Sequence, residues 1–252
     1  MNNSSDFLRT PFRKLFPYNW VTGVALILLF AIPRFILVMH ANVTKSYGSV
    51  IFIFLLMWII PFLLLNKRGR RYIGMKKPDN WVWLFYSLII GAAVCVASYL
   101  LFSLLYGNTV ENAYVYMSAV NSPPGMEWTP ELRQTFFLAS LLGVMTFSPI
   151  GEELFYRGVV HGSFVSQFGE QKASMFDSLA FAVTHVAHFG VVYISGVWKF
   201  FPIPAILWII SMYILSRLLF LCKQKSGSIV GAIFAHAAFN AVMSYVIFYQ
   251  IL

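Results

Sequence analysis

The chain has 252 residues, of which 59% are hydrophobic and only 11% charged, with a mean hydropathy of +0.73. Soluble domains carry about 25% charged residues, so a buried core cannot account for the deficit, and a soluble globular domain is excluded. The net charge of +9 does not point to nucleic acid. The basic residues cluster in short segments between apolar runs, which is the positive-inside pattern of membrane proteins.

At the N-terminus, Arg9, Arg13 and Lys14 precede an apolar run too long for a signal-peptide core, and no small-residue cleavage site follows. The run is expected to be retained as the first span. A hydrocarbon core about 30 Å thick needs roughly 20 apolar helical residues. Seven segments meet or approach that length, at about 20–39, 49–65, 81–106, 134–158, 173–194, 202–222 and 227–250. The expected fold is therefore all-α, a polytopic bundle of transmembrane helices. It divides into N-terminal helices and an external loop over 1–133 and a core over 134–252. No internal repeat or low-complexity segment is visible.

Lys and Arg set the orientation. Lys67, Arg68, Arg70, Arg71, Lys76 and Lys77 follow the second span, Arg157 and Lys172 the fourth, and Arg217, Lys223 and Lys225 the sixth. The alternate loops hold only Lys45, Arg133 and Lys199. The N-terminus is expected in the cytoplasm and the C-terminus outside. The longest connection, about 107–134, is external and contains Glu111, Glu127, Glu131 and the turn-former Ser122-Pro123-Pro124-Gly125. Tyr116 and Trp128 are read there as interfacial anchors. Cys95 and Cys222 lie in apolar runs and read as packing thiols, without disulfide or zinc-type spacing.

Ionisable residues inside membrane segments are costly and usually functional. Here they are Arg34, Glu152, Glu153, Arg157, Asp177, His185, His188 and His236, with Asn240 as a polar neighbour. Glu153 and Arg157 are four residues apart and share a helix face, so they can pair. Glu152 is rotated by about 100° from Glu153, which leaves one acid for structure and the other for a cavity. Phe181 and His185 share the next helix, with His188 one turn later. His236 and Asn240 share a face of the last. Counted at about 1.5 Å per residue, His185 and His236 reach similar depth, and Glu152 joins them if its helix continues past Arg157.

Glu-Glu-x-x-x-Arg, then Phe-x-x-x-His, then His-x-x-x-Asn, on successive membrane helices over about 134–250, resembles the CPBP family. That is the CAAX-protease and bacteriocin-processing family, also called Abi. The resemblance implies an intramembrane endopeptidase acting on membrane-associated peptides or proteins within the bilayer, with no nucleic-acid partner. It implies that Glu152 activates water, that His185 assists, and that His236 and Asn240 bind the oxyanion. Glu153, Arg157, Phe181 and His188 would be supporting residues.

Two mechanisms stay open. In one, Glu152 and His185 share the water and no cofactor is needed. In the other, Glu152, His185 and His236 bind zinc and lower the pKa of its water. His188 is then a partner of the site, a fourth ligand or a packing residue. His161 is expected on the cytoplasmic side, and Asp177 in a structural role near a helix end. Arg34 is expected to snorkel to the external surface near His40, the alternative being a buried pair with an acid. Compact loops suggest a bacterial inner-membrane protein. The competing classes are a non-catalytic scaffold on the same fold and a solute transporter. Intact site residues argue against the first, and the lack of repeated halves against the second.

Overall fold

The computed structural model of the chain describes residues 4–122 and 125–252. Its longer helices are α1 (Trp20–Thr44), α2 (Val50–Leu64), α3 (Val82–Tyr106), α4 (Ala113–Asn121), α5 (Pro130–Glu152), α6 (His161–Thr184), α7 (Pro202–Ser226) and α8 (Ile229–Val246). Side-chain oxygens of Asn19, Asn112, Thr129 and Ser228 accept the free N–H groups at the starts of α1, α4, α5 and α8. Between elements this apolar, such caps mark where these four helices begin.

Five helical stretches are long and apolar enough to cross a membrane, and α2 is a shorter apolar helix. The chain is thus an all-α polytopic membrane protein, but seven separate spans are not resolved. The expected fourth and fifth spans form one helical path, Pro130–Ala187. Its only break is Gly169, at φ 73° and ψ 165°, a conformation open to glycine because no Cβ is present. The fourth helix therefore continues past Arg157, which is a buried helical residue and not part of a loop.

The expected fifth span ends early. After a 3₁₀ turn at His185–Ala187, residues 191–200 form a hairpin of β1 (Val191–Ile194) and β2 (Val197–Phe200). Gly190 (φ 123°) breaks the helix, and Ser195 and Gly196 (φ 51° and 82°) make the two-residue turn. The run Val191-Val192-Tyr193-Ile194 suits a strand through its β-branched and aromatic side chains.

The centre of the bundle is α8, which packs against α3, α5 and α7. Gly91 of α3 makes this possible: a Cβ there would collide with the backbone of Ala235 on α8. Gly151 does the same for α5 and α2, since its Cβ would stand 2.6 Å from the Phe54 carbonyl oxygen and 2.9 Å from the Trp58 ring. Small residues at such crossings are how membrane helices gain packing contacts. The outer faces stay apolar, as with Leu28, Leu29, Ile32 and Ile36 on α1, and they meet lipid.

The long connection folds inward as α4. Tyr116 is buried, not interfacial, and its hydroxyl accepts from the Tyr193 N–H at 2.9 Å. Pro123 and Pro124 of the expected turn lie outside the described residues.

Gly91→Val should destabilise the protein by about 1–3 kcal/mol, the usual cost of overpacking. Gly143→Ala, where nothing lies within 4 Å, is the control and should not destabilise. Reversible unfolding in detergent measures both.

Candidate active site

The site forms where α5 gives way to a π-helical segment, Glu153–Val160. Pro149 lies just upstream and has no N–H to donate back along the helix. Wider π turns recur at functional positions because they re-aim side chains without ending the helix. Glu152 and Glu153 are both fully buried, and they face different partners.

Glu153 is a structural hub. One oxygen lies 2.8 Å from His236 Nδ1 on α8, and the other 3.2 Å from Arg157 Nε. The second contact is close enough for charge pairing but is not aligned as a hydrogen bond. The Arg157 guanidinium also lies over the Phe181 ring, 4.1 Å from its centre, a cation–π contact in a dry setting. The expected Glu153–Arg157 pair is present, and His236 is its third member.

Glu152 is held by one oxygen only. Its Oε1 lies 2.8 Å from Arg34 Nη2 and accepts from the Ser148 hydroxyl at 3.2 Å. Its Oε2 has no hydrogen-bond partner and lies 3.8 Å from His185 Nε2. The His185 ring is fixed from behind: Nδ1 is 2.7 Å from the Phe181 carbonyl. A carbonyl only accepts, so Nδ1 carries the proton and Nε2 presents a lone pair. Nε2 and Oε2 are then two acceptors 3.8 Å apart; His185 lines the cavity described below, and the fully buried Glu152 does not.

Phe181 stands between the two imidazoles, with ring centres 4.2 Å from His185 and 5.8 Å from His236. Asn240, one turn beyond His236, donates through Nδ2 to the Val144 carbonyl of α5 at 2.8 Å. That amide has a second N–H. Arg34, His185, His236 and Asn240 line a cavity of about 470 Å³, within the range of ligand pockets. The other walls are mostly apolar and include Phe54, Phe147, Trp208, Met212 and Phe239. Ala139 of α5 is both exposed and part of the lining, so the cavity opens sideways past α5. Tyr47 lies at its rim, donating to Asn42 Oδ1 at 2.6 Å. Burial raises the pKa of that phenol, so it remains a hydroxyl.

One expectation is corrected here. Arg34 does not snorkel to the surface. It is buried against Glu152, and Nη1 donates to the Thr184 hydroxyl at 3.3 Å. Hydropathy could flag Arg34 as a cation inside a span, but not which face of α1 carries it. His161, expected on the cytoplasmic side, is a buried residue, with Nδ1 2.7 Å from Asp177 Oδ2 and Nε2 2.9 Å from Glu170 Oε2. It ties together the two arms that meet at Gly169, and Asp177 is its structural partner. Ser148 went unremarked in the sequence, although its place one turn before Glu152 was a usable signal.

His236 turns Nδ1 to Glu153, which leaves its Nε2 for another partner. Among the described residues no group of three or more His, Cys, Asp or Glu side chains is arranged to hold a metal ion.

Residues 134–242 match the family model described as Rce1-like, type II CAAX prenyl endopeptidase Rce1-like. This is the family grouping that the motifs resemble. No curated protein and no solved structure matches the chain significantly.

Removing one member of a buried ion pair costs about 3–5 kcal/mol, because the other charge stays buried. Glu153→Ala strands both Arg157 and His236 and should destabilise the protein by that amount. Thermal unfolding in detergent would register it as a large fall in the midpoint.

Proposed function

We propose, from the match of residues 134–242 to the Rce1-like family of CAAX prenyl endopeptidases, that this chain is an intramembrane endopeptidase of the glutamate type. The match and the apolar helices support the coarser statement, a multi-pass membrane protease. The finer reading rests on one observation. Glu152 Oε2 is buried and unpartnered, 3.8 Å from a His185 Nε2 whose lone pair faces it.

Two acceptors at that spacing suit one water, which donates a hydrogen bond to each at about 2.8 Å. As the water oxygen attacks the scissile carbonyl carbon, Glu152 takes its proton and the C=O pair moves onto oxygen. His185 holds the second hydrogen and keeps the attacking lone pair aimed. The tetrahedral oxyanion is met by donors on α8: the free N–H of Asn240 and Nε2–H of His236. His236 donates from Nε2 only as an imidazolium, because Nδ1–H is committed to Glu153. The carboxylate of Glu153 stabilises that charge. As the oxyanion pair re-forms C=O and the C–N bond breaks, Glu152 returns its proton to the leaving nitrogen, giving an amine and a carboxylic acid that keeps the water's second hydrogen. Arg157 and Phe181 keep Glu153, His185 and His236 in register. No step needs a metal, and the glutamate reading is preferred to the zinc alternative.

The substrate class is a membrane-associated peptide or protein, entering past α5 through the lateral opening of an apolar cavity. A farnesylated peptide with a CAAX end is the natural first probe, given the family description. The bacterial inner membrane is the proposed location.

Glu152→Gln should lower cleavage of such a peptide by at least about 10³-fold, since loss of the base adds to loss of water orientation. The unfolding midpoint should fall, because Arg34 loses its counter-charge, so cleavage is compared at a temperature where both forms are folded. Mass spectrometry of the products, and of membrane peptides from cells expressing each form, reads the result. Full cleavage by Glu152→Gln would sink the assignment. Chelator treatment should leave the wild-type rate within about twofold; loss of activity restored by zinc would favour the metal mechanism.

A further inference from the structure

Arg34 lies on α1, one hundred residues before the segment that matches the family. A guanidinium in a span is expensive unless it has work there. Its Nη2 is 2.8 Å from Glu152 Oε1, 3.3 Å from His188 Nε2 and 3.4 Å from His185 Nε2. The cation also lies 5.5 Å from the centre of the Phe54 ring. One planar cation thus touches the proposed base and both neighbouring imidazoles.

Guanidinium N–H groups only donate. Nη2 has two of them for three acceptors. With one on Glu152, the other goes to His188 Nε2, the nearer imidazole nitrogen, and the His185 Nε2 lone pair stays available to the water. At Glu152 the effect is selective. Arg34 and Ser148 consume Oε1 and leave Oε2 unengaged. Glu152, His185 and His188 also make up a carboxylate and two imidazoles, a set of the kind that binds zinc. Here they face a guanidinium.

We propose that Arg34 is the resident cation of the active site, a positioning residue that determines which oxygen of Glu152 faces the attacking water. The inference rests on the role of Glu152 given above. It adds a component from the N-terminal helices, so the site is built by both halves of the chain.

The test uses the full-length protein in detergent. The probe is the farnesylated CAAX peptide or, if wild type leaves it intact, a synthetic copy of a membrane peptide that wild-type cells cleave and Glu152→Gln cells do not. Arg34→Lys keeps the charge, but a single ammonium cannot span the carboxylate and both imidazoles. Its kcat should fall about 10²-fold, the scale of a 1 Å misplacement, with KM and unfolding midpoint close to wild type. Arg34→Ala should lose more, and millimolar guanidinium should restore at least about tenfold of kcat, a tenth of what exact placement supplies. Guanidinium should not revive Glu152→Gln. If Arg34→Ala unfolds, Arg34→Ala combined with Glu152→Gln should regain stability, because no lone buried charge is left; failure to do so overturns the pairing. A fully active Arg34→Lys, or a folded and inactive Arg34→Ala that guanidinium does not raise, overturns the positioning role while Glu152 keeps its own. If Glu152→Gln matches wild type on every peptide, the proposed reaction fails and this inference fails with it.

Discussion

Everything in this fold answers to one constraint: an ionised side chain inside an apolar bundle must have a partner of opposite charge. The chain places adjacent glutamates in that setting, and the structure resolves their repulsion by giving each its own cation. Glu153 faces Arg157 from its own helix and His236 from α8. Glu152 faces Arg34 from α1. Each pair draws a different helix toward α5, so the electrostatics and the packing of the bundle are one arrangement. The glycines at 91 and 151 let the backbones approach closely enough for those side chains to meet.

The division of labour between the two acids follows from how they are held. Glu153 hydrogen-bonds His236 with one oxygen and sets the other against the Arg157 charge. Glu152 uses one oxygen and keeps the other beside the His185 lone pair. Adjacent residues on a helix point in different directions, so one sequence step separates a structural carboxylate from the proposed base. Phe181 then serves the whole site. Its carbonyl fixes His185, its ring separates His185 from His236, and its face covers Arg157.

Much of this was legible in the residues. Hydropathy and charge placement identify an all-α membrane bundle because a bilayer demands long apolar helices with basic flanks. The i, i+4 spacings of Glu153 with Arg157, Phe181 with His185, and His236 with Asn240 name three helix faces, since side chains four apart must be neighbours. What could not be read was which helix faces which. Arg34 registers in the sequence only as a charge in an apolar run, and its rotation about α1 is decided by tertiary packing. The burial of His161 could not be read because the break at Gly169 is not visible in the hydropathy, and that break brings Glu170 and Asp177 back to it. The hairpin after Gly190 was hidden because a short apolar strand and the end of an apolar helix have the same hydropathy.

The reach of Arg34 into the pocket also bears on how far the chain can be divided. Residues 134–242 carry the family signature, but the counter-charge of Glu152 and the apolar wall at Phe54 come from residues 20–64. A fragment beginning at 134 would hold every motif residue and still contain an uncompensated carboxylate facing an open seam. The signature segment is therefore not a self-contained module. The N-terminal helices are co-owners of the pocket, and a chimera that exchanges them must bring a cation to the same depth.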